Sequence, residues 1–153
     1  MKKTRKIVVT LALVMVLAMP VLGLSLAAPK ATNTAHALRF GEGVTIDFLA
    51  PLKNRTDFYG GAVLPVKVLV IDNDDAPAKG ANVTIWVNNL PATSVGALNT
   101  GNQMKNLQGG LYMYNLNTKP YPAGPGSPPI TIKVIAFVPE DHPAEASVII
   151  TLD

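Results

Sequence analysis

The chain of 153 residues contains no cysteine, and it has only two histidines, His36 and His142. Without cysteine it has no disulfides, thiolate metal sites or thiol nucleophiles. Nucleophilic catalysis also needs a base beside the nucleophile, and two histidines leave few such pairs. The serines Ser94, Ser127 and Ser147 lie in no pattern typical of a nucleophile elbow. The composition therefore predicts a protein that is not an enzyme.

The first part of the chain has the pattern of a secretory signal. A basic stretch, Met1–Lys6, precedes an almost wholly apolar run over residues 7–28, which ends in small residues. We expect a signal or anchor helix here, and divide the chain into a leader over 1–37 and a domain over 38–153. The domain is then extracellular or part of the cell envelope.

Two cleavage points and one alternative stay open for this leader. Cleavage after Ala27 lies closer to the apolar run, whereas cleavage after Ala37 follows the cleaner Ala-x-Ala motif. The run is also long enough to span a bilayer as an uncleaved anchor. In that case the leader is the only part of the chain that contacts a membrane, with its basic end on the cytoplasmic side.

Positive charge is scarce once the leader is set aside. Five of the thirteen basic residues and none of the ten acidic ones lie in residues 1–37. The domain therefore carries eight basic and ten acidic side chains, a net charge of −2. It offers no basic patch to neutralise phosphates, which argues against a nucleic-acid partner.

No helical periodicity follows the leader, and apolar residues instead recur with a period of two. The predicted strands cover residues 44–48, 62–72, 82–87, 111–116, 130–138 and 148–152. Their β-branched and aromatic content is typical of strands. A seventh strand fits between Asn88 and Gly110. This pattern predicts an all-β, immunoglobulin-like antiparallel sandwich of two sheets and about 7 strands. A jelly roll or a partly closed barrel is the alternative.

Three segments resemble one family of extracellular domains. They are YGGAVLPVKV at 59–68, DNDDAPAKGANVTIWV at 72–87 and GLYMYNLNTK at 110–119. Together they resemble the Ig-like repeats called PxKF domains, relatives of the bacterial Ig-like and prealbumin-like modules. The resemblance extends over residues 44–152. It implies a β-sandwich found within surface proteins or secreted hydrolases, and it brings no catalytic residues.

The best metal candidate is an acidic turn. Asp72, Asp74 and Asp75 surround Asn73 on one short loop, and hard cations bind several oxygens on such loops. They are the candidate calcium ligands, and we expect no other cofactor. The alternative is a solvated hairpin turn, because Asp and Asn favour turns for backbone reasons.

Aromatic side chains on the strands suggest a second kind of site. Trp86, Tyr112 and Tyr114 are candidates for a platform that binds carbohydrate. The alternative is packing in the core or between neighbouring strands, the usual role of strand aromatics.

Two segments fit the N-glycosylation pattern. Asn54 begins Asn-Arg-Thr in a predicted loop, and Asn82 begins Asn-Val-Thr in a predicted strand. The loop position is the better acceptor, because an acceptor asparagine must be accessible.

These observations favour a secreted or cell-surface domain with a structural or adhesive role, acting through other envelope proteins or through self-association. One route is pairing of an edge strand with another chain, with Leu38–Gly43 as the donor. Two alternatives stay open. The first is a module that binds carbohydrate or calcium, and the second is an accessory domain of a secreted enzyme complex.

Overall fold

The computed structural model describes residues 36–38, 43–96 and 99–153. All regular elements in this part are strands, which confirms the predicted all-β class. The strands are β1 (His36–Leu38), β2 (Thr45–Phe48), β3 (Asp57–Phe58), β4 (Val63–Ile71), β5 (Asn82–Val87), β6 (Leu90–Pro91), β7 (Lys105–Asn106), β8 (Leu111–Asn117), β9 (Ile130–Phe137) and β10 (Ala144–Leu152).

The six strands predicted from alternation correspond to β2, β4, β5, β8, β9 and β10. β10 starts earlier than the predicted Val148, because Ala144 and Ala146 continue the buried alternation. The seventh strand, expected between Asn88 and Gly110, is divided into the short strands β6 and β7. The apolar run predicted to form the leader helix lies outside the described residues. Among those described, no helix has the length and hydrophobicity to cross a membrane.

The strands form two sheets. The first sheet has the order β1-β10-β9-β5-β6, and β3 lies parallel to the end of β10. The second sheet has the order β2-β4-β8-β7. Apart from β3, all neighbours pair antiparallel. Such ladders form without the crossover helices that parallel sheets need, and none was predicted.

One hydrophobic core lies between the two sheets. Every second residue of β4, β8, β9 and β10 points into it, as the period-two pattern predicts. The second sheet contributes Val66, Val68, Val70, Tyr112, Tyr114 and Leu116. The first contributes Ile85, Ile130, Ile132, Val134 and Ile150. Burial of each aliphatic side chain stabilises the fold by about 1.5–3 kcal/mol, which is how a chain without disulfides holds its structure.

A tight hairpin joins β5 to β6 through Asn88 and Asn89. Both asparagines have positive φ, 51° and 64°. Two consecutive left-handed residues are the signature of a type I′ turn, and asparagine tolerates this conformation better than most residues. The Oδ1 of Asn88 also accepts the backbone N–H of Thr131 at 2.9 Å, which ties the hairpin to β9.

The part of the chain between β6 and β7 that the structure describes, 92–96 and 99–104, closes the open side of the sandwich. It first pairs with β8, where the N–H of Val95 donates to the carbonyl of Asn115 at 3.0 Å. It then returns to β5, where the N–H of Met104 donates to the carbonyl of Val83 at 2.8 Å. The long stretch between β6 and β8 thus satisfies backbone groups on the edges of both sheets.

A proline within a strand has no N–H to donate to the ladder, so it is normally found at a sheet edge or a bulge. β4 lies in the middle of the second sheet, but β2 pairs only with Val68–Ile71. At Pro65 the strand is paired in register on the β8 side alone, opposite Asn115. On the β2 side no strand lies opposite Pro65, so its missing N–H leaves no ladder hydrogen bond unmade there.

Candidate functional site

The loop between β4 and β5 contains the predicted calcium ligands Asp72, Asp74 and Asp75. The Oδ1 of Asp72 accepts backbone N–H groups of Asp74 and Ala76, both at 3.0 Å. The N–H of Asp72 donates to the carbonyl of Ala76 at 2.9 Å, and Asp75 has a φ of 56°. Asp72 thus caps a tight turn. Among the described residues, no three acidic or histidine side chains are grouped so that they could hold a metal ion. The calcium site stays a prediction, and the turn alternative accounts for this geometry.

A cleft of about 510 Å³ separates this loop from the turn between β9 and β10. Asn73 bridges the two loops, because its Nδ2 donates to Oδ1 of Asp141. Lys79 is the one basic residue that lines the cleft. The carboxylates that line it belong to Asp72, Asp74, Glu140 and Asp141. The cleft is therefore acidic, and it favours cationic over anionic groups.

The predicted aromatic platform is wrong for two of its three members. Tyr112 and Tyr114 are only 1% and 0% exposed, so no carbohydrate can stack on their rings. Both occupy the inward positions of β8, and burial raises the pKa of each hydroxyl. The hydroxyl of Tyr114 lies 2.9 Å from the carbonyl oxygen of Ala92 and 2.7 Å from that of Gly101, and donates between them. It fastens the connection that closes the sandwich.

Trp86, the third member, lies half-buried on the outer face of the first sheet. Its Nε1 donates to Oγ1 of Thr84 at 3.3 Å on the same strand. A shallow depression of about 250 Å³ beside the ring is lined also by Asn89, Lys133 and Ile135. One aromatic ring remains of the predicted platform, which is a small contact area for a sugar chain.

Both predicted glycosylation asparagines are exposed. Asn54 lies in the turn that follows β2, where its backbone N–H donates to the carbonyl of Pro51 at 3.1 Å. Asn82 is the first residue of β5, and its Oδ1 accepts the side-chain N–H of Gln103 at 3.3 Å. Use of either asparagine as an acceptor stays a prediction, with Asn54 in a turn and Asn82 at the start of a strand.

The predicted donor segment begins within a strand that pairs inside its own chain. β1 pairs with β10, placing His36 opposite Ser147 and Leu38 opposite Glu145. Residues 39–42 of the donor lie outside the described part. Further along the same edge, β3 pairs with Thr151 and Leu152. The edge of β10 is thus largely covered, as exposed edges in native proteins usually are.

This pairing also bears on the two cleavage points. Ala37 is the middle residue of β1 and lies opposite Ala146. Cleavage after Ala37 would leave only Leu38 of the strand, whereas cleavage after Ala27 would retain all of it. The second motif therefore lies within the folded part of the chain.

Apolar side chains outnumber polar ones at the centre of the outer face of the second sheet. On its central strands β4 and β8, six of the nine side chains that point away from the core are apolar. They are Val63, Pro65, Leu69, Ile71, Leu111 and Met113. Antiparallel sheets with one solvated face usually carry polar residues at such positions. Large exposed apolar patches on soluble proteins commonly occur at interaction sites.

Sequence reasoning assigned these residues to strands but not to a site. The signal was present in β4, where Leu69 and Ile71 are apolar on the face opposite Val68 and Val70. A strand that is apolar on both faces is covered on both. The sheet order was needed to show that no described strand covers the outer side.

No family model, curated protein or solved structure matches this chain. The resemblance to PxKF domains stays a prediction. The structure by itself gives the class: an all-β protein whose two sheets pack as a sandwich.

Proposed function

We propose that this chain is an exported, non-enzymatic, immunoglobulin-like domain with a structural or adhesive role, acting through protein contacts. The strand order supports the fold assignment. In chain order, β2, β4, β5, β7, β8, β9 and β10 correspond to strands A to G of the immunoglobulin fold. The observed orders β2-β4-β8-β7 and β5-β9-β10 are then A-B-E-D and C-F-G, the constant-type arrangement.

The observation that carries the interaction role is the exposure of large apolar side chains outside the core. Tyr59 is 78% exposed, Phe137 52%, Ile149 50% and Val63 47%. A domain that also has a complete core has no folding need for these side chains on its surface. Exposed apolar groups gathered on sheet faces favour protein contacts. The basic, apolar leader supports export.

The experiment is cross-linking on intact cells that express the full chain. A membrane-impermeant, amine-reactive cross-linker should reach the exposed Lys53 and Lys119 and shift the protein into higher-mass species. As a control, Leu13→Arg with Leu17→Arg interrupts the apolar run and should keep the protein inside the cell, unlabelled. A wild-type chain that stays in the cytosol contradicts the export part of the proposal. An exported chain that is labelled but never cross-linked contradicts the interaction part.

Cation binding at the acidic cleft is a second candidate, and it rests on the negative charge of the cleft lining, since the described carboxylates form no ready ligand cluster. It predicts a rise in melting temperature with calcium that chelator reverses. Asp74→Asn with Glu140→Gln should abolish that rise, and Asp47→Asn, which lies on β2, is the matched control. Polysaccharides tested in the same assay should leave the melting temperature unchanged, since Tyr112 and Tyr114 are buried.

A further inference from the structure

The outer face of the second sheet carries charges at its two sides as well as apolar residues at its centre. Asp47 on β2 lies opposite Leu69, and both side chains point away from the core. Lys105 on β7 lies opposite Met113, again on the outer side. β2 and β7 are the two outermost strands of this sheet. The face therefore has an acidic group at one side and a basic group at the other.

This arrangement is self-complementary. If a second copy is placed face to face, with a two-fold axis parallel to the strands between the copies, each β2 lies over the β7 of the other copy. Asp47 of each copy then comes near Lys105 of the other, and the two ion pairs flank the interface. A contact of this isologous type uses one patch twice and closes at two copies.

The centre of the face fits the same geometry. Leu69 and Leu111 are neighbours across β4 and β8, so the axis places Leu69 of each copy against Leu111 of the other. Lys67 lies opposite Met113 in the next row. Its aliphatic stem can cover the methionine of the other copy while its ammonium group reaches the rim. The contact then has an apolar centre and a polar rim, as specific interfaces do.

We propose that the outer face of the second sheet binds the same face of a second copy of this chain. The inference rests on the proposed role in protein contacts and names the partner. Strands β2, β4, β8 and β7 have 4, 9, 7 and 2 residues, and at about 3.3 Å per residue and about 4.8 Å between strands they give a flat area on the order of 350 Å² per copy. That is at the small end of specific interfaces, so the dimer is expected to depend on concentration.

Charge reversal tests the pairing across the axis. Sedimentation or light scattering over a range of concentrations would be used on the protein isolated from cells that express the full chain. Asp47→Lys and Lys105→Asp should each weaken dimerisation at least about tenfold, because each places like charges together. The double variant should recover most of the wild-type affinity. A chain that merely misfolds would not be rescued, which separates loss of the contact from loss of the fold.

Site-specific cross-linking tests the location of the contact. The chain has no cysteine, so one introduced cysteine is its only thiol. Leu111→Cys should form covalent dimers with a bismaleimide that spans about 10 Å, the distance between packed sheets. Ile135→Cys, equally half-buried on the outer face of the first sheet, is the matched control and should remain monomeric.

Three results would overturn the dimer: a monomer at all concentrations, charge reversals without effect, or cross-linking through Ile135→Cys as efficient as through Leu111→Cys. These outcomes differ from failure of the proposed function. A monomer that still cross-links to other proteins on cells keeps the interaction role and loses only this partner. A dimer in a chain that stays in the cytosol keeps this partner and contradicts the export part of the proposed function.

Discussion

The first and second sheets present similar inner faces and different outer ones. Along β9 and β10 of the first sheet, five of the eight outward side chains are polar, and Lys133 forms an ion pair with Glu145. Along β4 and β8 of the second sheet, six of nine are apolar. Both strand pairs meet the same core, so folding alone does not require the difference. The first sheet exposes Phe137 and Ile149 as well, but its other outward positions are mostly polar, so the difference favours the second sheet as the proposed contact face.

One edge of each sheet is covered by other segments of the same chain. The outer strand of the first sheet, β10, is flanked by β1 and β3, which satisfy much of its backbone. The open side next to β8 is closed by β7 and the irregular chain around Val95, which the hydroxyl of Tyr114 helps to hold. With these two edges largely occupied, strand addition at β10 or beside β8 is disfavoured.

The largest expected effect is a difference in stability loss between a buried and an outward leucine on the same strand, β8. Leu116→Ala, at a fully buried position of β8, should lower the free energy of unfolding by about 2–5 kcal/mol. Leu111→Ala, on the outer side of the same strand, should lower it by less than about 1 kcal/mol. Chemical denaturation in dilute solution, where association contributes little, measures both. Equal losses would mean that the outer face belongs to the core, and the contrast between the two sheets would fail.

A smaller effect on stability is expected at Tyr114, whose hydroxyl holds the segment between β6 and β7. Tyr114→Phe removes the hydroxyl that serves the carbonyl groups of Ala92 and Gly101, and should cost about 1–2 kcal/mol. Tyr59→Phe, at a highly exposed position, is the control and should change the stability little. A neutral Tyr114→Phe would show that the second sheet is closed without this bond.

Three tyrosines that are at least partly buried make the free energy of unfolding depend on alkaline pH. Burial raises the pKa of Tyr112, Tyr114 and Tyr121 in the folded state above the ordinary value, about 10. The folded state therefore keeps these protons when the unfolded state has lost them. The stability they contribute is complete below pH 10 and declines as the pH rises further. Tyr114→Phe should flatten this decline, and an unchanged slope would contradict the assignment.

The smallest expected effect lies on the outer face of the first sheet. The Nζ of Lys133 is 3.1 Å from Oε1 of Glu145, and the two side chains are 26% and 35% exposed. A double-mutant cycle with Lys133→Ala and Glu145→Ala should give a coupling of about 0.5 kcal/mol that decreases with added salt. Neither variant should alter dimerisation. A change in self-association in either variant would mean that the interface lies on the first sheet and not on the second.

The sequence predicted more of the fold than of the surface. Strict alternation in β4, β8 and β9 predicted which of their side chains share a face, because a period of two fixes this. It could not separate Tyr112 and Tyr114 from Trp86, since all three lie on alternating strands. Only the pairing of strands shows that the two tyrosines point between the sheets and that the tryptophan points outward.

Local chemistry also limited the prediction of sites. The Asp72–Asp75 segment has the composition of a calcium loop and of a hairpin turn, and the backbone bonds accepted by Asp72 fit the turn. The contact between Asn73 and Asp141 joins residues far apart in the chain, so no local pattern signals it.

By itself, the sequence determined the all-β class, the positions of the six main strands, the absence of thiol chemistry and the scarcity of positive charge beyond residue 37. These depend on composition and on periodicity, which are local properties of a chain. The tertiary structure decided which strands are neighbours, which edges are covered and which outward residues share a face. Those features depend on contacts between distant segments. The opposed charges of Asp47 and Lys105 on either side of an apolar sheet therefore became visible only once the strands were placed in order.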